Sequence, residues 1–129
     1  MKLKESSVSV GSNGGASQTL RLSGLLSEWL FATGFWSEVN AICGTMFDQY
    51  EEDSASSEVL NVIAQRVDQR VKALRDVAEP TVEFVHGWNA DWTPLKATAK
   101  TEAFVSELMR LRNFLQEAVA KKAVAELSL

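Results

Sequence analysis

The chain has one cysteine, Cys43, and one histidine, His86. A single cysteine excludes an internal disulfide, and a single histidine excludes a two-histidine metal site. Long hydrophobic runs are also missing. The longest, Trp29-Leu30-Phe31-Ala32, is far shorter than a membrane span. The start, Met1-Lys2-Leu3-Lys4-Glu5-Ser6-Ser7, has no apolar stretch of signal-peptide length. A cytoplasmic location is therefore expected. No Gly-x-Ser-x-Gly elbow supports a serine nucleophile. The glycine cluster Gly11-Ser12-Asn13-Gly14-Gly15 lacks a following Lys-Ser/Thr and precedes a strand, so it matches neither a P-loop nor a dinucleotide fingerprint.

Basic residues are absent from one long stretch. Between Arg21 and Arg66 there is no Lys or Arg, while Glu28, Glu38, Asp48, Glu51, Glu52, Asp53 and Glu58 all fall there. The stretch carries −7 within a chain of net charge −4, which leaves +3 on the remainder. An acidic chain lacks the positive footprint of a nucleic-acid binder. What is present is otherwise ordinary for one globular domain spanning 1–129: 46% hydrophobic and 23% charged residues, enough to build a core without covalent staples.

The pattern along the chain predicts α+β. Residues 2–23 read as a β-hairpin, with Val8 and Val10 alternating with serines and Leu20 and Leu22 on the return strand. Residues 24–52 carry a helical apolar stripe that includes Leu25, Trp29, Trp36, Val39, Cys43, Phe47 and Tyr50. Gly34 predicts either a kink or two helices there. A polar link over Glu51–Ser57 offers Ser56 and Ser57 as caps. The next helix, Ser57–Glu79, has Leu60, Ala64, Val67, Val71, Leu74 and Ala78 at 4-3-4-3-4 spacing and stops before Pro80. Thr81–His86 reads as a strand with Val82 and Phe84 on one face, Gly87–Pro94 as a loop, and Thr98–Lys121 as a last helix. Ala123–Leu129 alternates and predicts a short final strand. The rival arrangement is an all-α bundle with extended termini.

Few residues can carry chemistry. Cys43 with His86 is the only Cys/His combination, and Cys43 sits on the apolar stripe, where a free thiol reads as a small buried hydrophobe. Asp48, Glu51, Glu52 and Asp53 offer oxygen ligands without the Asp-x-Asp-x-Asp-Gly spacing of a calcium loop. No catalytic residues, metal or cofactor are expected. Two surfaces remain. Asp48, Glu51, Glu52 and Asp53 gather where a helix C-terminus would disfavour anions, with Asp48 and Glu52 as an i,i+4 like-charge pair and Glu38 on the same polar face. They read either as a solvated face or as a docking surface for a basic partner. Trp88, Asp91 and Trp92 share a loop and read either as caps on the core or as a binding hot spot.

Several features taken in order resemble small immunity proteins of bacterial polymorphic and contact-dependent toxin systems. Over Leu20–Leu127 they are Trp29-Leu30-Phe31 on an apolar helix, a Gly34-Phe35-Trp36-Ser37 junction, and a second helix ending in Met46-Phe47-Asp48. A long amphipathic helix, the strand Val82-Glu83-Phe84-Val85, the loop Trp88-Asn89-Ala90-Asp91-Trp92 and a final helix follow. The loop lacks the Pro-Pro-Trp-Gly run expected of that family. The resemblance implies a cytosolic, non-enzymatic protein that occludes one cognate toxin domain, and it transfers no individual binding residue. Neither nucleic acid nor membrane is an expected partner, and the chain is expected as a monomer or homodimer. The alternative is an adaptor, a secretion chaperone or a helical oligomerisation protein.

Overall fold

Two helices packed antiparallel, with a hairpin joining them, form the frame on which the other elements sit. The structure, a computed structural model, describes residues 3–11 and 17–129. The order is β1 (Ser7–Val10), β2 (Gln18–Arg21), α1 (Gly24–Ala32), α2 (Phe35–Cys43), β3 (Glu52–Ala55), α3 (Ser57–Val77), β4 (Thr81–Trp88), β5 (Pro94–Lys100), α4 (Thr101–Ala120) and β6 (Ala125–Ser128). This is an α+β fold; the strands near both ends pair with one another, which the all-α arrangement does not allow. The expected turn cluster lies, Gly11 aside, outside the described residues.

The larger sheet has the order β2-β1-β6-β3, all neighbours antiparallel. Strand alternation sorts its two faces. Val8, Leu127, Ala125 and Ala55 are buried on one face, while Ser9, Thr19, Glu126 and Ser54 occupy the other. The smaller sheet contains only β4 and β5.

Helix α3 follows its apolar spacing. Leu60, Ala64, Val67 and Val71 are buried, as is Ile63; Leu74 is half-buried, and Ala78 lies past the helix end, exposed. The Ser56 hydroxyl accepts from the Val59 N–H and caps the first turn. From α4, Phe104, Leu108, Leu111 and Leu115 complete the core. Each such side chain contributes roughly 1.5–3 kcal/mol on burial. Trp29, Phe104 and Phe84 stack in sequence, with ring centroids 5.2 Å and 6.4 Å apart, and this joins α1, α4 and the smaller sheet. The Glu107 carboxylate grips the N-terminus of α1, accepting from the Ser23 N–H at 2.9 Å and the Ser23 hydroxyl at 2.6 Å.

Four expectations are corrected. Of the two alternatives at Gly34 the chain takes two helices, but the helical stretch ends at Cys43 rather than at residue 52. Gly34 (φ 75°) separates them, and Gly44 (φ 68°) closes α2 with its N–H on the Asn40 carbonyl. Both positions are left-handed, where glycine carries no Cβ penalty. Cys43, on the last turn, is half-buried rather than enclosed. Glu52–Ala55 is a strand, not helix or link. Finally, Pro94–Lys100 is a strand paired with β4, so α4 begins at Thr101 rather than Thr98. Among the described residues, no helix is long and apolar enough to cross a membrane.

Candidate functional site

The candidate residues form two groups on separate sheets. The first group, Trp88, Asp91 and Trp92, stands at the tip of the β4–β5 hairpin. Register explains where the Trp88 ring goes. Val82, Phe84 and their partners Ala99 and Ala97 face the core. Strict alternation would add Trp88 to that row. However, the ladder shifts between Val85 and Gly87: Val85 pairs with Lys96, and Gly87 pairs with Leu95. His86 is the extra residue of a β-bulge. Beyond it Trp88 stands opposite Pro94, on the outer row with Lys96 and Val85. Directly opposed residues share a face, so the bulge turns the indole outward. Trp88 is 58% exposed.

The tip itself is tightly made. The Asn89 N–H donates to the Thr93 carbonyl and the Trp92 N–H to the Asn89 carbonyl, both at 2.9 Å. The Asp91 carboxylate accepts from the Thr93 N–H at 3.1 Å. Thr93, through its hydroxyl and then its backbone N–H, holds the Asp91 carboxyl below the usual aspartate range. Trp92 is 78% exposed and adopts φ 64°. A left-handed position is glycine's default, and a side chain there costs about 1–2 kcal/mol. An aromatic ring therefore occupies the turn residue least suited to one. Neither indole caps the core.

The second group is acidic. Asp48, Glu51, Glu52 and Asp53 lie on the loop after α2 and on β3, an edge strand. They are not at a helix C-terminus, and Asp48 and Glu52 are not an i,i+4 helical pair, so neither the dipole nor helical repulsion acts on them. The segment is held firmly instead. The Asn40 side chain donates to the Phe47 carbonyl and accepts from the Phe47 N–H, both at 2.9 Å. Gln49 donates to the buried Glu28 carboxylate at 2.7 Å, and the Leu129 N–H donates to the Glu51 carbonyl at 2.9 Å. Glu38 stands apart. It accepts from Arg66 at 2.8 Å and Arg70 at 3.4 Å, so its charge is matched within the molecule. Among the described residues Asp48, Glu51, Glu52 and Asp53 form no ion pair. The described residues also hold no cluster of three or more His, Cys, Asp or Glu suited to a metal ion.

Sequence reasoning missed exposed apolar side chains along the stretch of chain that leads into these acids. Ile42, Met46 and Tyr50 are 48%, 83% and 68% exposed. The apolar phase predicts Tyr50 on the helical stripe, but Gly44 ends that stripe, and a C-capping glycine is the signal that marks the end. Tyr50 too adopts a left-handed φ, 66°, and the Lys4 ammonium lies 6.0 Å from its ring centroid. Compared with protein-family models, curated proteins and solved structures, the chain matches none.

Proposed function

We propose that this protein is a non-enzymatic binding module, an immunity or antitoxin-like inhibitor of the cytoplasm that occludes a basic toxin domain. The observation that carries the reading is the outward tryptophan pair. A bulge re-aims Trp88, a left-handed residue bears Trp92, and both rings stand in water on a hairpin whose other face is packed. Large rigid indoles are the side chains most enriched at interface hot spots. The acidic segment indicates the sign of the partner: carboxylates that form no ion pair among the described residues, on the same stretch of chain as exposed Ile42, Met46 and Tyr50, favour a basic surface with apolar anchors. An interface of standard size takes roughly 800 Å² from each partner, which is within reach of a surface of 7675 Å².

Growth protection tests the reading. The chain is co-expressed with individual basic toxin domains in a bacterial host. Protection against one of them, lost in the Trp88→Ala/Trp92→Ala variant, is expected. Protection that survives loss of both indoles and reversal of the acidic segment contradicts it.

A further inference from the structure

A trough of about 960 Å³ opens where the C-terminal end of α3, the start of α4 and the base of the β4–β5 hairpin meet. Its floor is apolar: Leu74 and Ala78 from the α3 side, Val105 and Met109 from α4. Its rim is basic, with Arg75, Lys100 and Arg110. None of these three cations forms an ion pair among the described residues. Arg75 donates instead to the Met109 thioether at 3.3 Å, a weak acceptor. Glu79 and Glu102 also line the trough, so the local balance is three cations against two carboxylates in a chain of net −4. The acidic segment lies at the far end of the same helix. α3 has 21 residues and is about 30 Å long, and Asp53 precedes it by four positions.

We infer that this trough is a second docking site, for an acidic amphipathic helix of a partner protein. The occupant follows from shape and charge. The trough is a partly open depression rather than an enclosed cavity. An acyl chain laid in it would leave much of its length in water, whereas small-ligand pockets cover most of their ligand. An amphipathic helix has a polar face to leave exposed. It would set apolar residues at i, i+4 spacing between α3 and α4 and bring its carboxylates to Arg75, Lys100 and Arg110. Met109, unbranched and polarizable, adapts to such a ridge. The site is independent of the tryptophan hairpin and opposite in sign to the acidic segment.

Methionine methyl resonances test it, because Met109 lies in the trough and Met46 beside the acidic segment. Full-length protein with ¹³C-methyl methionine is titrated with a synthetic Leu/Glu amphipathic helix as long as α4, and with its Leu/Lys counterpart. The Leu/Glu helix is expected to shift Met109 saturably while leaving Met46 in place. Half-saturation should come at a concentration at least about tenfold below that of any Leu/Lys response at Met109. Raising the salt should weaken the effect, and Arg75→Glu/Arg110→Glu should invert the preference between the two peptides. Equal response to both peptides overturns the inference. So does saturation of Met109 by laurate with no response to the Leu/Glu helix. A Met109 shift that grows with protein concentration in the absence of peptide overturns it too, and assigns the trough to a second copy of the chain.

Discussion

Gln49 and Glu28 meet across the gap between the acidic loop and α1. The Gln49 amide donates to the Glu28 carboxylate at 2.7 Å, and Glu28 is only 8% exposed. A carboxylate inside the −7 stretch is thereby spent on holding the rest of that stretch in place. Gln49→Ala leaves the carboxylate buried without that donor and should cost about 1–3 kcal/mol. Urea denaturation of the two proteins measures the difference. A change below about 0.5 kcal/mol means that water replaces the amide and the clamp is dispensable.

Ala78 closes α3 in the left-handed region, at φ 58°, with its N–H on the Leu74 carbonyl. Glycine takes this position without Cβ strain. Ala78→Gly should stabilise the protein by about 0.5–1 kcal/mol, since relief of the strain outweighs the added freedom of the unfolded chain. The midpoint of urea denaturation should rise. A fall means that the helix end relaxes by another route.

Asp91 gives the hairpin tip a pH dependence of known sign. Its carboxyl is held below the ordinary range in the folded turn, so the unfolded chain takes up its proton first. The contribution to turn stability is complete above the unfolded aspartate value, about 3.9, and is lost as pH falls through the lower folded value. The Thr93 amide resonance should therefore titrate below about 3.9, and Asp91→Asn should abolish that titration. An amide that titrates at or above the ordinary value shows that the carboxylate is not held by Thr93.

Glu51 and Glu52 are exposed, so Glu51→Lys/Glu52→Lys should change stability by about 0.5 kcal/mol or less. Association with the cognate partner should slow, and the salt dependence of the on-rate should flatten, because rim charges act chiefly on encounter. On-rates at low and high ionic strength decide the matter. Equal rates and slopes for the two proteins make the segment a solvated face.

Local patterns were legible where one periodicity acted alone. The unbroken 4-3-4-3 spacing from Leu60 to Leu74 specifies α3, because helical period and burial agree there. Ala125, Leu127 and Leu129 announce the last strand in the same way. The misreadings arose where two signals competed. Cys43, Phe47 and Tyr50 continue the helical phase of Trp36 and Val39, but the left-handed Gly44 stops the helix regardless. Leu95, Ala97 and Ala99 alternate as a strand should, yet Thr98 resembled a helix start, and β5 disappeared into the loop and α4. The side chosen by Trp88 was not legible at all. It depends on one extra residue, His86, and a bulge is a property of the paired ladder rather than of either strand alone.

The tryptophan hairpin is the centre of this account, and comparative capture tests it most directly. Wild-type protein and the Trp88→Ala/Trp92→Ala variant are immobilised at equal density and exposed to the same bacterial lysate, and the retained proteins are quantified by mass spectrometry. Wild type is expected to retain a basic protein that is depleted at least about tenfold on the variant, with the variant's urea denaturation midpoint unchanged because both rings lie outside the core. Retention of the same proteins in the same amounts by both would contradict it.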